Sequence, residues 1–330
     1  MDSKIKTIGI LTSGGDAPGM NAAVRAAART ALKRGIDVYG INCGYNGLIE
    51  GDLFKMDVRS VSNIIQNGGT ILRTARSPKF KTEEGILAAV DTCKKFGIEG
   101  IVVIGGDGSY RGAKDLSLHG IPCIGVPGTI DNDIASTDET IGFDTAMNTA
   151  MVMIDRLRDT SQSHNRCTVI EVMGRRCGDI ALRTGIAVGA TAILIPEIPF
   201  DFNTHVIEEI KAGMAYGKKH FIVVVAEGAT NSNGVGDIND IAIRIEEATG
   251  VESRASVLGH VQRGGSPTLR DRTLASSMGN YAVDLLAQGI GNRVVSIRNG
   301  VLVDDDIVEA LNMKNAIYKH LYEVAYEISF

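Results

Sequence analysis

The stretch IKTIGILTSGGDAPGMN at residues 5–21 carries the reading of the fold. Residues 5–11 form an apolar run. Thr12, Ser13, Gly14, Gly15, Asp16, Ala17 and Pro18 then make a glycine-rich turn that opens a helix near Gly19. A buried strand entering a glycine turn and then a helix is the opening unit of a doubly wound α/β fold. Backbone N–H groups and a helix N-terminus face an anion at such a turn. The same residues also suit a plain tight strand-to-helix turn. It is not a Walker A loop, since no G-x-x-x-x-G-K-[ST] occurs in the chain, and it lacks the dinucleotide G-x-G-x-x-G spacing.

Outward from this turn, further apolar runs lie at 36–41, 101–104, 121–126, 168–172, 193–195, 221–226, 255–258 and 294–297. Most are nearly continuous Val, Ile and Leu rather than alternating, as in parallel strands buried on both faces. Helical patterns separate them. Met147, Met151, Ile154 and Leu157 share one stripe, and Leu274, Met278, Tyr281 and Leu285 another; both are expected to pack into a core. Nine strands are many for one sheet. The chain of 330 residues therefore reads as two three-layer, Rossmann-like α/β domains with mainly parallel sheets, the first ending near Phe143.

The net charge is −5 with no basic tail or stripe, so nucleic acid is an unexpected partner. No run of 18 apolar residues occurs, and Met1 to Lys4 pass directly into the first strand, so neither a membrane span nor a signal peptide is expected. Cys43, Cys93, Cys123, Cys167 and Cys177 are odd in number and form no C-x-x-C pair. They read as reduced thiols of a cytoplasmic protein.

Three more glycine-rich regions follow apolar runs. Gly105, Gly106, Asp107, Gly108 and Ser109 surround one carboxylate, which suggests phosphates with Mg²⁺ reached directly or through water. Pro127, Gly128, Thr129, Ile130, Asp131, Asn132 and Asp133 place two acids at i and i+2. One can take a proton from an attacking hydroxyl while the other supports it or the metal; an Asx-rich turn is the plainer alternative. Glu171 to Arg175 and Leu258 to Pro267 add Arg175, Arg263 and His260, with Arg254 just upstream. Arginine binds phosphate by bidentate hydrogen bonds and neutralises charge on a transferring phosphoryl group.

TSGGDAPGMN at 12–21, GGDGS at 105–109, PGTIDND at 127–133, EVMGR at 171–175 and GHVQRGGSP at 259–267 occur in one order. Together they resemble the ATP-dependent 6-phosphofructokinase family, bacterial type, over essentially the whole chain. The resemblance implies transfer of the γ-phosphoryl group of ATP to the 1-hydroxyl of fructose 6-phosphate, the committing step of glycolysis. It also implies an ATP- and Mg-binding domain at 1–142 plus 259–305, and a sugar-phosphate domain at 143–258 plus 306–330. Gly15, Tyr45, Arg76, Ser77, Gly106, Gly108 and Ser109 would line ATP, and Asp107 would hold Mg²⁺. Asp131 would be the general base, with Thr129 and Asp133 beside it, and Arg175 would stabilise the moving phosphoryl group. Met173, Gly174, Glu227 and His260 would contact the sugar. Arg263 would meet its 6-phosphate, joined across a subunit interface by Arg166 and Arg254, which implies a homotetramer.

A pyrophosphate-using branch of the family resembles the chain too, but typically carries Asp at position 108 and Lys at position 128. Glycine at both leaves room for a nucleotide. The resemblance also implies an effector site for ADP or phosphoenolpyruvate at Arg25, Arg29, Arg59, Arg158, Lys218, Lys219 and His220. Val58, Thr191 and Tyr216 depart from that pattern in place of an Arg, an acid expected to bind effector Mg²⁺, and a Lys. A weakened or altered ADP response is therefore expected. Ser77 and Lys81 stand where an aromatic residue and an Arg are often found. The alternatives are a lipid or NAD kinase using GGDG, a non-catalytic nucleotide-binding regulator and a Rossmann oxidoreductase. The first leaves PGTIDND and GHVQRGGSP without a reason. The second sits poorly with the retention of Asp107, Asp131 and Asp133, and the third has the wrong glycine spacing.

Overall fold

Runs of fully buried aliphatic residues set the two sheets. The structure, a computed structural model, describes residues 3–230, 236–314 and 319–329. Its strands are β1 (Thr7–Ser13), β2 (Asp37–Ile41), β3 (Leu53–Met56), β4 (Gly100–Gly105), β5 (Cys123–Pro127), β6 (Cys167–Val172), β7 (Ala192–Leu194), β8 (Phe221–Ala226), β9 (Ser253–Val257), β10 (Arg293–Arg298) and β11 (Val301–Asp306). Every residue of β4, β5 and β8 is buried, as strands covered on both faces require. The helices are α1 (Met20–Lys33), α2 (Tyr45–Glu50), α3 (Glu83–Phe96), α4 (Asp107–Leu118), α5 (Phe143–His164), α6 (Asp179–Ala187), α7 (Glu209–Ala215), α8 (Ile238–Thr249), α9 (Leu269–Ala287), α10 (Ile307–Asn312) and α11 (Lys319–Glu327). Among the described residues, no helix is long and apolar enough to cross a membrane.

The chain divides into two compact units. The first gathers Met1–Ile130, Ile134–Thr145 and Arg263–Asn315; the second gathers Asp131–Asp133, Ala146–Gln262 and Ala316–Phe330. These borders fall at Thr145, Gln262 and Asn315, where the family resemblance implies 142, 258 and 305, and Asp131–Asp133 changes unit. Two differences have visible causes. The segment Ile307–Asn312 follows β11 directly and buries Ile307 and Ala310 in the apolar cluster under α4, so it stays with the first unit. Asp131–Asp133 separates from the strand before it because its side chains bond within the second unit.

In the first unit seven strands run in the order β11-β10-β5-β4-β1-β2-β3. The five inner strands are parallel, and β3 and β11 close the edges antiparallel. β1 and β4 are neighbours, yet the chain leaves β1 toward β2 and leaves β4 toward β5 on the other side. That divergence is a topological switch point, where open α/β sheets bind ligands. Leu11, Ile41, Ile101, Val103 and Cys123 face a core shared with α2, α3, α4 and α10. Intervening strand residues such as Ile8, Ile10, Val102 and Ile124 are buried on the opposite side. α1 and α9 pack together through small residues: a Cβ on Gly279 would reach the Ala23 carbonyl oxygen at 2.6 Å.

The second unit has four parallel strands in the order β7-β8-β6-β9. All nine expected strands are present, and β3 and β11 are additional. The Leu274 stripe is core, although Tyr281 reaches Asp304 with its hydroxyl at 2.6 Å. The α5 stripe is less buried than expected. Met147 and Met151 are half-buried and line an open groove of about 330 Å³ with Ile186, Ala187 and Leu321.

Asp271 anchors the start of α5. It is 1% exposed and accepts from Gly142 N, Thr145 N and the Thr145 hydroxyl, the two backbone bonds at 2.8 Å. Burial raises its pKa despite these donors. The same segment bridges to β5 at Gly128 and holds the Thr129 carbonyl through the Thr140 hydroxyl at 2.6 Å. Replacement by Ala leaves three buried donors without an acceptor, so Asp271→Ala is expected to lose about 2–4 kcal/mol of stability in urea denaturation. A midpoint unchanged from wild type would show that water replaces the carboxylate.

Candidate active site

In the first unit the functional loops follow β1, β4 and β5. Gly14 and Gly19 adopt φ 92° and 106°, which lets the turn after β1 double back before α1. The caps of α1 and α4 are Gly19 and Gly106, which bring no side chain to the first-turn N–H groups; Met20 N already donates to Ala17 O at 3.2 Å and Ser109 N to Gly106 O at 2.9 Å. Ser109 donates its hydroxyl to the Ser13 carbonyl at 3.0 Å, and Gly128 N donates to Gly105 O at 3.1 Å. These bonds tie the three loops into one layer. A Cβ on Gly105 would collide with Ser13 O and the Ser109 side chain, so glycine is required at the crossing.

The expected nucleotide residues divide within this unit. Asp107 lies in the first turn of α4, partly exposed, and pairs with Arg111 at 2.8 Å. A Cβ on Gly108 would meet nothing within 4 Å, whereas one on Gly128 would touch Ile104 at 3.0 Å and Met20 at 3.2 Å. Arg76 is exposed, and the half-buried Ser77 accepts from Phe80 N at 3.2 Å. Tyr45, expected at the nucleotide, is instead 4% exposed. Its ring stacks on Phe80 at 4.1 Å, and its hydroxyl donates to Ser109 O at 2.5 Å. It supports the second loop from behind. Arg263 lies against Gly15 and donates to the Asp16 carbonyl at 3.2 Å, beside the first glycine turn.

In the second unit the loops follow β6 and β8. Arg175 stands between two carboxylates: its Nη1 is 3.3 Å from Asp133 and its Nε 4.0 Å from the buried Asp131. Gly174 and Arg175 have φ 139° and 55°, and Cys177 N closes the turn onto Gly174 O at 2.8 Å. Glu227 accepts from Arg175 N at 2.5 Å, which brings the β8 loop to the same place. Met173 N donates to the buried Gln262 at 3.4 Å, while His260 is exposed nearby in the chain. Burial, then Glu227 and Asp237, raise the pKa of Glu171.

Arg166 and Arg254 lie elsewhere. They belong to the N-terminal ends of β6 and β9 and flank Glu252, Arg166 at 2.9 Å and Arg254 at 2.5 Å. The Arg166 hydrogen bond, then the charges of Arg166 and Arg254, lower the Glu252 pKa. Thr168, paired with Arg254, precedes Val172 by four residues, about 13 Å of strand. The two arginines thus sit at the opposite sheet end from Arg175. A third cationic group joins Lys218, which donates to Thr191 at 3.1 Å, to Arg158, which donates to Val188 O, and to His220. Burial, then Arg158, lowers the Lys218 pKa; burial, then Arg158 and Lys218, lowers that of His220. In the first unit Arg25 and Arg29 are one turn apart on α1, Arg25 with its pKa lowered by burial and then by Arg29; Arg59 and, in the second unit, Lys219 are exposed.

Sequence reading missed Asp179, Gln262 and Asp271. Asp179 and Arg183 at i and i+4 on one helix gave the only signal, and that spacing is common on helix surfaces.

The first unit carries glycine turns at a switch point and the second a carboxylate–arginine–carboxylate cluster, and each is a kind of group that phosphoryl transfer uses. Residues 7–286 match the family model for phosphofructokinase. The chain is 56% identical to the ATP-dependent 6-phosphofructokinase of Clostridium tetani over 326 residues, 99% of this chain and 100% of that protein. It is 56% identical to the Bacillus subtilis enzyme of the same name over 325 residues, 98% and 100% of the two chains. A solved phosphofructokinase from Saccharomyces cerevisiae is similar with a TM-score of 0.88 at 34% identity, over 98% of this chain and 48% of that one. A pyrophosphate-dependent phosphofructokinase from Marinobacter aquaeolei shares the fold, with a TM-score of 0.84 at 24% identity over 96% of this chain and 86% of that one. The chain belongs to the phosphofructokinase family.

The raised Glu171 pKa has a signed consequence. The folded state resists its ionisation, so wild type is penalised above the raised pKa and not below the ordinary carboxylate value. Glu171→Gln is expected to melt higher than wild type at neutral pH, with the difference shrinking to nothing as pH falls below the ordinary carboxylate range. A difference independent of pH would rule out charge as its source.

Proposed function

We infer that this chain is an ATP-dependent 6-phosphofructokinase, which moves the γ-phosphoryl group of ATP to the 1-hydroxyl of fructose 6-phosphate. The observation carrying this reading is the Asp131–Arg175–Asp133 cluster in a chain 56% identical to enzymes of that name. Asp131 accepts the 1-hydroxyl proton as the sugar oxygen bonds to the γ-phosphorus; the bond to ADP breaks and ADP leaves with its electron pair. Arg175, now beside Asp133, neutralises charge on the moving group. Thr129 lies two residues before the base, at the end of the loop after β5. Met173, Gly174, Glu227 and His260 hold the sugar. Arg263 takes the 6-phosphate by giving up the Asp16 carbonyl.

Gly15, Arg76, Ser77, Gly106, Gly108 and Ser109 hold the nucleotide. Mg²⁺ enters with ATP and supplies charge neutralisation at its phosphates. The donor set fits such an ion. Asp107 is a single accessible carboxylate, and no group of three His, Cys, Asp or Glu side chains that could cage a metal occurs among the described residues. On this reading the first unit is the nucleotide domain and the second the sugar-phosphate domain. Arg166 and Arg254, remote from Arg175 along their strands, serve the 6-phosphate of a neighbouring subunit in a homotetramer.

Effector control is proposed at Arg25, Arg29, Arg59, Arg158, Lys218, Lys219 and His220. Thr191 uses its hydroxyl on Lys218 and brings no carboxylate for a metal. Activation by Mg-ADP is therefore expected to be weak, and strong ADP activation in steady-state kinetics would contradict this part of the proposal.

Two variants test the chemistry. Asp131→Asn is expected to lower kcat by roughly 10²–10⁴-fold with substrate binding kept; near-normal turnover would remove Asp131 from the role. Gly108→Asp has space for its side chain, so its melting temperature should match wild type while ATP kcat/KM falls at least about tenfold through repulsion of phosphate. Unchanged use of ATP would end the donor argument at that position.

A further inference from the structure

The two acids of the cluster are separated by Asn132, whose backbone is left-handed, at φ 50°. Asparagine tolerates this conformation better than most residues, but it still needs a restraint to be held in it. The restraint lies in the second unit. Asn132 Nδ2 donates to Asp179 Oδ2 at 2.8 Å, and the Cys177 thiol points to the Asn132 carbonyl at 3.7 Å. Asp179 is 4% exposed, in the first turn of α6, and its other oxygen accepts from Arg183 Nε at 2.9 Å. Both carboxylate oxygens are thus committed.

What Asn132 controls is the aim of its neighbours. In extended chain, residues 131 and 133 would project the same way; a left-handed residue between them changes their relative direction. In this conformation both acids approach one guanidinium. That guanidinium is itself carried by a left-handed residue, Arg175, four positions before Asp179 in the same loop-helix segment. The segment that presents Arg175 therefore also grips the backbone presenting Asp131 and Asp133.

We propose that Asp179 is a positioning residue for phosphoryl transfer: oriented by Arg183, it holds Asn132 left-handed and so sets Asp131 and Asp133 against Arg175. The inference rests on the assignment of Asp131 as base. A helix-capping carboxylate with no further role predicts lost stability and little else. A positioning residue predicts lost turnover with substrate affinity kept, and coupling to Asn132.

The test is a two-residue cycle on the full-length enzyme with fructose 6-phosphate and Mg-ATP. Asn132→Gly keeps the left-handed backbone accessible and removes the carboxamide; Asp179→Ala removes the acceptor. Each is expected to lower kcat about tenfold with both KM values within about threefold of wild type. The double variant should fall within about threefold of the lower single variant, not to the roughly hundredfold loss of independent effects. Asp179→Asn, which keeps an acceptor oxygen, should recover part of the loss. Wild-type kcat in Asn132→Gly, or multiplicative losses in the double variant, overturns the proposal. Should Asp179→Ala fail to fold, Asn132→Gly decides alone. Asp131→Asn in the same assay separates the two readings: if it retains turnover the base assignment falls, whereas its inactivity beside a fully active Asn132→Gly removes only the positioning role.

Discussion

At the ends of β1, β4 and β5, main chain approaches main chain so closely that side chains are excluded. The Gly105 carbonyl accepts from Gly128, the Ser13 carbonyl accepts from Ser109, and a Cβ at position 105 would strike both the Ser13 backbone and the Ser109 side chain. The glycines at this crossing are therefore a packing requirement. Once the three ends are locked, the N-termini of α1 and α4 are fixed, and Asp107 is placed in the first turn of α4. Tyr45 stacks on Phe80 and bonds through its hydroxyl to the Ser109 carbonyl of the second loop.

The second unit works by charge rather than by absence of side chains. One guanidinium faces two carboxylates, and the turn that carries it is stabilised by Glu227 and by the closure of Cys177 onto Gly174. Asp131 stays 4.0 Å from Arg175, so the carboxylate lies beside the cation without forming a tight pair with it. Asp131 follows Ile130 by a single peptide bond, directly after the loop organised by Gly128, Thr129 and Thr140.

The inner strands were legible because burial on both faces demands uninterrupted Val and Ile, as in Ile101 to Ile104 and Phe221 to Ala226. β3 and β11 were not. Both are edge strands with exposed residues, Phe54 and Lys55 in one and Val301 in the other, and three acids end β11. The glycine turns and the acids of 131–133 were legible as local motifs. The burial of Tyr45 and the seat of Arg263 against Gly15 were not, because each depends on a partner far along the chain. The restraint on Asn132 was hidden for the same reason. Asp179 lies 47 residues away, and only the folded turn after β6 brings it near.

Purified protein offered fructose 6-phosphate and Mg²⁺ with either ATP or pyrophosphate gives the most direct measurement. The account predicts fructose 1,6-bisphosphate with ATP and none with pyrophosphate, since Gly108 and Gly128 leave the nucleotide its place. Product with pyrophosphate alone, or with neither donor, would contradict it.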